Sequence, residues 1–162
     1  MEIRNATIDD LNKIIKLENE CFNEAEAASA ESLKNRLLTY PDHFYVMYDN
    51  DRIIGMINGL VSDLEHLCDE MYDNSSMHNE DGKWQMIFGV DVASAYRNRG
   101  LASLLIKHLI DDAKKQHRLG AVLTCKNELI SFYERFGFKD EGISDSEHGN
   151  VVWHEMRLTF ND

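Results

Sequence analysis

The sequence predicts an α/β fold in the broad sense (α+β), a mixed and mostly antiparallel sheet flanked by helices, and three observations predict it. Two strand-forming runs flank the polar triplet Asp49-Asn50-Asp51, the pattern of an antiparallel hairpin. Further on, an alternating run from Trp84 to Val92, an amphipathic stretch from Leu101 to His117 and a short apolar run from Ala121 to Cys125 succeed one another as strand, helix and strand. Pro41 is the only proline in 162 residues, and no repeat or low-complexity stretch marks a boundary, so one domain with one core is expected. A hairpin and a strand-helix-strand unit in one domain require a mixed sheet.

The elements follow in order. Glu2 to Asn5 fits a short first strand. Thr7-Ile8-Asp9-Asp10 resembles a helix-capping signal with Asp where Glu or Gln is usual. Leu11, Ile14, Ile15, Glu18 and Phe22 then follow mostly helical spacing, so a helix should run to about Phe22. After polar Asn23 to Ala28, Ser29 is placed to cap a second amphipathic helix carrying Leu33, Leu37 and Leu38, which must end before Pro41. Phe44 to Tyr48 and Arg52 to Ile57 are the hairpin strands. Asp63 to Tyr72 carries Leu64, Leu67, Cys68 and Met71 at helical spacing, and polar Asp73 to Lys83 predicts a mobile loop.

Trp84, Met86, Phe88 and Val90 are expected on one face of the next strand. Leu104, Leu105, His108, Leu109 and Asp112 are expected along one side of the helix from Leu101 to His117. Gly120 punctuates before the short buried strand, Leu129 to Phe136 predicts a short helix ended by Gly137, and a further strand precedes the last one, Val151 to Leu158.

Apolar residues make up 43% of the chain and charged residues 28%, ordinary for a globular protein. The formal net charge of -12 repels phosphate backbones, which excludes nucleic acid as an expected partner, and it attracts cations, protonated amines among them. Cys21, Cys68 and Cys125 are an odd number without a C-x-x-C pair, arguing against a disulfide framework or a zinc ribbon, so no metal is expected. Met1-Glu2-Ile3-Arg4-Asn5 lacks the apolar stretch of a signal peptide, and no apolar run approaches the ~20 residues that span a bilayer. A cytoplasmic protein without membrane partners is the expectation.

The strongest local signal is Arg97-Asn98-Arg99-Gly100-Leu101-Ala102, between a strand and a helix. A helix N-terminus leaves backbone N–H groups unpaired and carries partial positive charge, which suits a pyrophosphate. Gly100 and Ala102 let phosphate oxygens reach the backbone, and Arg97 and Arg99 add charge to an otherwise acidic chain. A basic-Gly turn also serves as a plain helix start. It is not a P-loop, which ends in Gly-Lys-Ser/Thr, nor a dinucleotide-binding G-x-G-x-x-G.

This pattern, Gln/Arg-x-x-Gly-x-Gly/Ala, resembles the acetyl-CoA signature of the GNAT superfamily of N-acetyltransferases. Leu123 to Phe138, ending Phe132-Tyr133-Glu134-Arg135-Phe136-Gly137-Phe138, resembles the second half of that fold. The spacing of Cys125 and Tyr133, and Gly59-Leu60-Val61-Ser62-Asp63, are similar to the arylalkylamine N-acetyltransferase branch. The likeness covers nearly the whole chain. It implies a sheet with a splayed central strand pair and acetyl-CoA as co-substrate. Phe88, Gly89 and Val90 would pair with the pantetheine arm, residues Arg97, Asn98, Arg99, Gly100, Leu101 and Ala102 would hold the pyrophosphate, and Asn127 would join the cofactor site. Tyr133 would return a proton to the departing thiolate.

Animal members of that branch carry two histidines on the strand before the signature, and Trp84 to Val92 has none. An alkylamine is neutral only about one time in a thousand at pH 7, so acetyl transfer needs a route for its proton. Asp63, Glu65, His66 and Glu70 are the open candidates for a base, each equally readable as a solvated helix residue. His148 and His154 read as packed or hydrogen-bonded, Cys125 as a small core residue, and Tyr133, by periodicity alone, as core beside Leu129 and Phe136.

The expected activity is acetyl transfer to a small-molecule primary amine (an arylalkylamine, a polyamine or an aminoglycoside-like molecule) or to a protein amine, by a monomer or homodimer. Direct attack in a ternary complex is favoured over an acetyl-cysteine, because no Cys is paired with a nearby His. Glu24 to Glu31 and Asp63 to Tyr72 would line the acceptor side, with Trp84 stacking on the amine if it faces the cleft. The rival class is a non-catalytic acyl-CoA-binding module.

Overall fold

Thr7 and Asp10 start the helical layer. The Thr7 N–H donates to the Asp10 carboxylate at 2.9 Å, and Arg4 grips the same carboxylate with two bonds of 2.7 and 2.9 Å. A carboxylate so held has its proton affinity lowered, chiefly by Arg4. In this computed structural model, which describes residues 1–161, the elements are β1 (Glu2–Asn5), α1 (Leu11–Cys21), α2 (Ala30–Thr39), β2 (Phe44–Asp49), β3 (Arg52–Asn58), β4 (Val61–Ser62) and α3 (Glu70–Asp73). They continue with β5 (Trp84–Ile87), β6 (Gly89–Val92), α4 (Leu101–Lys115), β7 (Gly120–Cys125), α5 (Ile130–Glu134), β8 (Lys139–Ile143) and β9 (His154–Thr159). Ser29 caps α2 by accepting from the Ser32 N–H, and the helix stops before Pro41. No helix among the described residues is long and apolar enough to cross a membrane.

The strands form two sheets, β1-β2-β3-β6 and β4-β5-β7-β9-β8, antiparallel throughout except for the parallel pair β5 and β7. The expected single strand Trp84 to Val92 is therefore broken at Phe88. Its first half joins one sheet and its second half the other. The break has a partner in Gly59, between β3 and β4, where the two backbones nearly touch. A β-carbon at Gly59 would lie 1.8 Å from the Met86 carbonyl oxygen. The buried Gln85 amide fills the gap, donating to the carbonyls of Gly59 and Met86 at 2.9 and 2.8 Å. Gly59→Ala is expected to destabilise the fold by about 1–3 kcal/mol through overpacking at this crossing. A lower urea midpoint at unchanged slope is the measurement.

The break also divides the strand's side chains. Trp84 and Met86 pack in a small core with Tyr40, Leu60, Met71 and Val122, while Val90 packs against the large core under α1 and α4. The expected common face ends at Phe88. Along α4 the buried stripe is Leu101, Leu105, Ile106, Leu109, Ile110 and Ala113. Leu104, expected inside, is 51% exposed, because the apolar arc centres on Leu105 and Leu109. His117 adopts φ 63° and ends the helix earlier than expected.

Three further expectations are corrected. Asp63 to Tyr72 is a helix only from Glu70, because side chains capture the amides that would start it. The Leu64 N–H goes to Ser62 Oγ at 3.0 Å and the Leu67 N–H to the Glu155 carboxylate at 3.1 Å. Asp73 to Lys83 is a pinned segment. The Asn79 N–H reaches the Val61 carbonyl at 2.8 Å, and Glu80 accepts from Arg118 at 3.0 Å. The last strand begins at His154, since Trp153 turns back to donate its indole N–H to the His148 carbonyl at 2.7 Å.

Candidate active site

The parallel register of β5 on β7 stops at Ile87 opposite Leu123. Beyond it β6 follows β3, with Gly89 opposite Asn58, while β7 continues to Cys125 beside β9. The two strands splay, β6 keeps an unpaired outer edge, and a cleft opens between them.

Two cavities occupy this cleft. The outer one, about 700 Å³, runs from Val90 past Arg97, Asn98, Gly100, Leu101 and Ala102 at the start of α4. Gly100 has φ 77° and nothing within 4 Å of where a β-carbon would stand, so the approach to the helix N-terminus is open. Arg97 is held by its Nε–H on the Val92 carbonyl at 3.1 Å. Arg99 stacks instead over Tyr96, with 5.1 Å from guanidinium to ring centre. Arg135, on the far wall, brings another cation to the cavity.

The inner cavity, about 350 Å³, lies between Phe88, Gly89 and Asp91 on one side and Thr124 and Cys125 on the other. Tyr72 is packed against Phe88 at 4.8 Å and stacked on His148 at 5.1 Å. Glu18 and Glu26 bring carboxylates, and Glu26 is paired to Lys126 at 2.6 Å. Arg36, buried, donates to Asn58 Oδ1 and the Tyr72 carbonyl and lies 4.8 Å over the Phe88 ring. Tyr133, on α5, lines both cavities together with Phe22, Val90 and Leu129. Burial holds the Tyr133 hydroxyl far above the usual phenol range, with Cys125 and Asp91 adding to the shift.

A family model described as "Acetyltransferase (GNAT) family" matches residues 11–138, from the first helix through α5. The chain belongs to that family. Serotonin N-acetyltransferase of Mesocricetus auratus is 24% identical over 98% of this chain and 77% of its own length. Among solved structures, the loading GNATL domain of CurA from Lyngbya majuscula superposes with a TM-score of 0.84 at 19% identity, covering 98% of this chain and 96% of that one. The GphF GNAT-like decarboxylase in complex with isobutyryl-CoA does so with 0.77 at 16%, covering 98% and 99%. The structural likenesses show the GNAT fold, and the family match with its N-acetyltransferase relatives makes the chain an acetyl-CoA-dependent N-acetyltransferase.

In this GNAT cleft the residues expected at the cofactor site divide unevenly. Phe88, Gly89 and Val90 stand at the strand break, and Arg97, Asn98, Gly100, Leu101 and Ala102 wall the outer cavity. Asn127 is exposed, two residues before Leu129, and lines neither cavity. The two segments expected on the acceptor side part company. Ala25 to Ser29 line the inner cavity, but of Asp63 to Tyr72 only Tyr72 does. Trp84 is core, with Arg157 4.6 Å over its ring. Asp63, Glu65, His66 and Glu70 are exposed and away from both cavities, and His66 is occupied by Glu155 at 2.7 Å.

Sequence reasoning passed over Glu18, Arg36, Asp91 and Arg135. Asp91 left one signal, a charge within an otherwise apolar strand. His148, expected as hydrogen-bonded, does bond the Glu26 carbonyl at 2.8 Å, and it also closes the inner cavity.

Two side-chain groups come within metal-ligand reach, His43 with His78 and Glu80, and His66 with Glu141 and Glu155. In the first, His78 Nδ1 accepts the Val61 N–H at 3.0 Å, so in the neutral ring the hydrogen sits on Nε2, the atom a metal would need. In the second, the carboxylates already hold His66 and Arg157, at 2.7 and 3.0 Å. Both read as hydrogen-bonded side-chain clusters.

Proposed function

We propose that this enzyme moves acetyl from acetyl-CoA to a primary amine with an aromatic or extended cationic body, by direct attack in a ternary complex. The observation that carries the reading is the place of Tyr133, at the junction of the two cavities. The outer cavity would take the pyrophosphate at Arg97 to Ala102 and the pantetheine along Phe88, Gly89 and Val90, with Asn127 at its margin. The inner cavity would take the amine.

Tyr133 then serves as the acid that meets the departing thiolate. In water a tyrosine is a weak acid toward a thiolate. Burial raises both partners, the Tyr133 phenol and a thiol beside it, so Tyr133 stays the weaker acid of the two. Cys125, in the same cavity wall, is pushed up to about 11, mainly by desolvation. A CoA thiolate expelled into this place is more basic than in water, and the adjacent Tyr133 hydroxyl is the donor that meets it as sulfur leaves.

The cysteines support direct attack. Cys21 and Cys125 are both pushed up to about 11, chiefly by burial, and remain thiols at neutral pH, which makes them poor nucleophiles for an acetyl-cysteine. Exposed Cys68 lies in a separate surface hollow with Asp69 and Ser146.

The acceptor class rests on the inner cavity's mixture of Glu18, Glu26 and Asp91 with Tyr72, Phe88 and Trp153. Thiol release from acetyl-CoA across a panel of amines tests it. Arylalkylamines and polyamines are expected to react faster than glutamate. The reverse order would overturn the acceptor class, and CoA binding without turnover on the whole panel would favour a non-catalytic acyl-CoA-binding module.

A further inference from the structure

Asp91 is 1% exposed, lines the inner cavity from β6, and has no hydrogen-bond partner for either carboxyl oxygen among the described residues. Glu18, 8% exposed, faces it from α1 and lines the same cavity, with Oε2 accepting the Ala28 N–H at 2.8 Å. Two carboxyls in one desolvated site cannot both ionise cheaply. Burial and the Glu18 carboxyl indeed push Asp91 well above the usual carboxylate range.

The other groups around Asp91 do not neutralise it. Arg36 of α2 and Arg97 beyond β6 lower its proton affinity less than burial and Glu18 raise it. Arg36 is spent on Asn58 and the Tyr72 carbonyl, and Arg97 on the Val92 carbonyl. Cys21 of α1 and Tyr133 of α5 are un-ionised neighbours whose own proton affinity Asp91 raises. In the sheet, β3 places Met56 in register with it, and the α4 face over these strands is apolar. An unpartnered buried carboxyl is a cost to the fold that an asparagine would reduce.

We propose that Asp91 is the proton acceptor for the amine substrate, with Glu18, which faces it in the same cavity, as a positioning residue. This rests on the acetyl-transfer reading above. The substrate enters as an ammonium ion, for which the ionised Asp91 carboxylate is the counter-ion. Asp91 takes one proton, leaving a neutral amine whose lone pair attacks the thioester carbonyl carbon. The carbon–sulfur bond breaks, and the thiolate receives the proton of Tyr133. The nitrogen loses its second proton to restore Tyr133, and Asp91 returns its own to solvent. The sum is ammonium plus acetyl-CoA giving amide, CoA thiol and one proton.

The test is the pH dependence of kcat/KM for wild type, Asp91→Asn and Glu18→Gln, with the amine that reacts best in the panel. Asp91→Asn is expected to lower kcat/KM by about 10²–10⁴-fold and to abolish the limb that rises as Asp91 ionises. Glu18→Gln removes the like charge, so that limb should move to lower pH, while the limb from the amine's own ionisation stays.

Stability provides the check on folding. A carboxyl whose folded proton affinity is raised contributes stability at low pH that is lost as pH rises through its folded pKa. Asp91→Asn should therefore match wild type near pH 4 and exceed it in Tm at pH 7 and above. A folded Asp91→Asn protein with wild-type kcat/KM and an unchanged profile overturns the proposal while leaving acetyl transfer in place. Absence of turnover by wild type on every amine overturns the acetyl-transfer reading itself and this role with it.

Discussion

Tyr133→Phe is expected to lower turnover by about 10²–10⁴-fold at saturating acetyl-CoA, the range for loss of general acid assistance. The substitution separates chemistry from packing. Tyr133 is 8% exposed and sits edge-on to Phe132 and Phe138 at ring distances of 5.1 and 5.9 Å. Phenylalanine keeps those contacts and removes only the hydroxyl. Binding of CoA should change by no more than about tenfold, since one neutral hydrogen bond is worth about 0.5–1.5 kcal/mol. Turnover beside a CoA titration of the same preparation is the measurement. A variant with near wild-type turnover would return Tyr133 to a purely structural place in the core.

The Tyr133 and Asp91 experiments probe the two ends of one proton path. The amine's proton must leave before attack, and the thiolate's must arrive after it. Asp91 raises the proton affinity of Tyr133 through space, so a charge change at one is felt by the other. The double variant Asp91→Asn with Tyr133→Phe should therefore lose less than the product of the two single losses.

How much of this was legible in the sequence depended on whether a feature was local. The Ser29 cap, the Pro41 stop and the hairpin at Asp49 to Asp51 are written in neighbouring residues, and the structure has them there. The strand break at Phe88 is not local. It requires Gly59 to lie against the Met86 carbonyl, a contact between segments far apart in the chain, so Trp84 to Val92 read as one strand. The loss of helix before Glu70 likewise depends on Glu155, 88 residues away from Leu67.

At the site, the Arg97 to Ala102 turn and the Phe-Tyr-x-x-Phe-Gly-Phe run were visible because each is contiguous. The inner cavity was not. It is assembled from α1, α2, β6, α5 and the segment around His148, and no single stretch carries its pattern. Glu18 illustrates the difficulty. Its helical spacing placed it on the inward face of α1 among Leu11, Ile14 and Ile15, but only the fold shows a second carboxyl opposite.

Gly100→Val is expected to weaken CoA binding about 10–100-fold, through loss of charge-assisted contacts worth about 1.5–3 kcal/mol. The free protein has room for the side chain, since no atom lies within 4 Å of the added β-carbon, and that room is the approach to the unpaired N–H groups that begin α4. Valine at φ 77° also strains the backbone by about 1–2 kcal/mol, so a weaker affinity has to be separated from a weaker fold. Gly142 supplies the control. It has φ 100°, open space around its missing β-carbon, and a place on β8 outside both cavities. Gly142→Val should lower Tm to a similar extent and leave CoA affinity at the wild-type value. Calorimetric titration of CoA into the three proteins, each below its own Tm, measures both effects. Equal affinities in all three would remove the pyrophosphate from the start of α4, whereas a loss confined to Gly100→Val places it there.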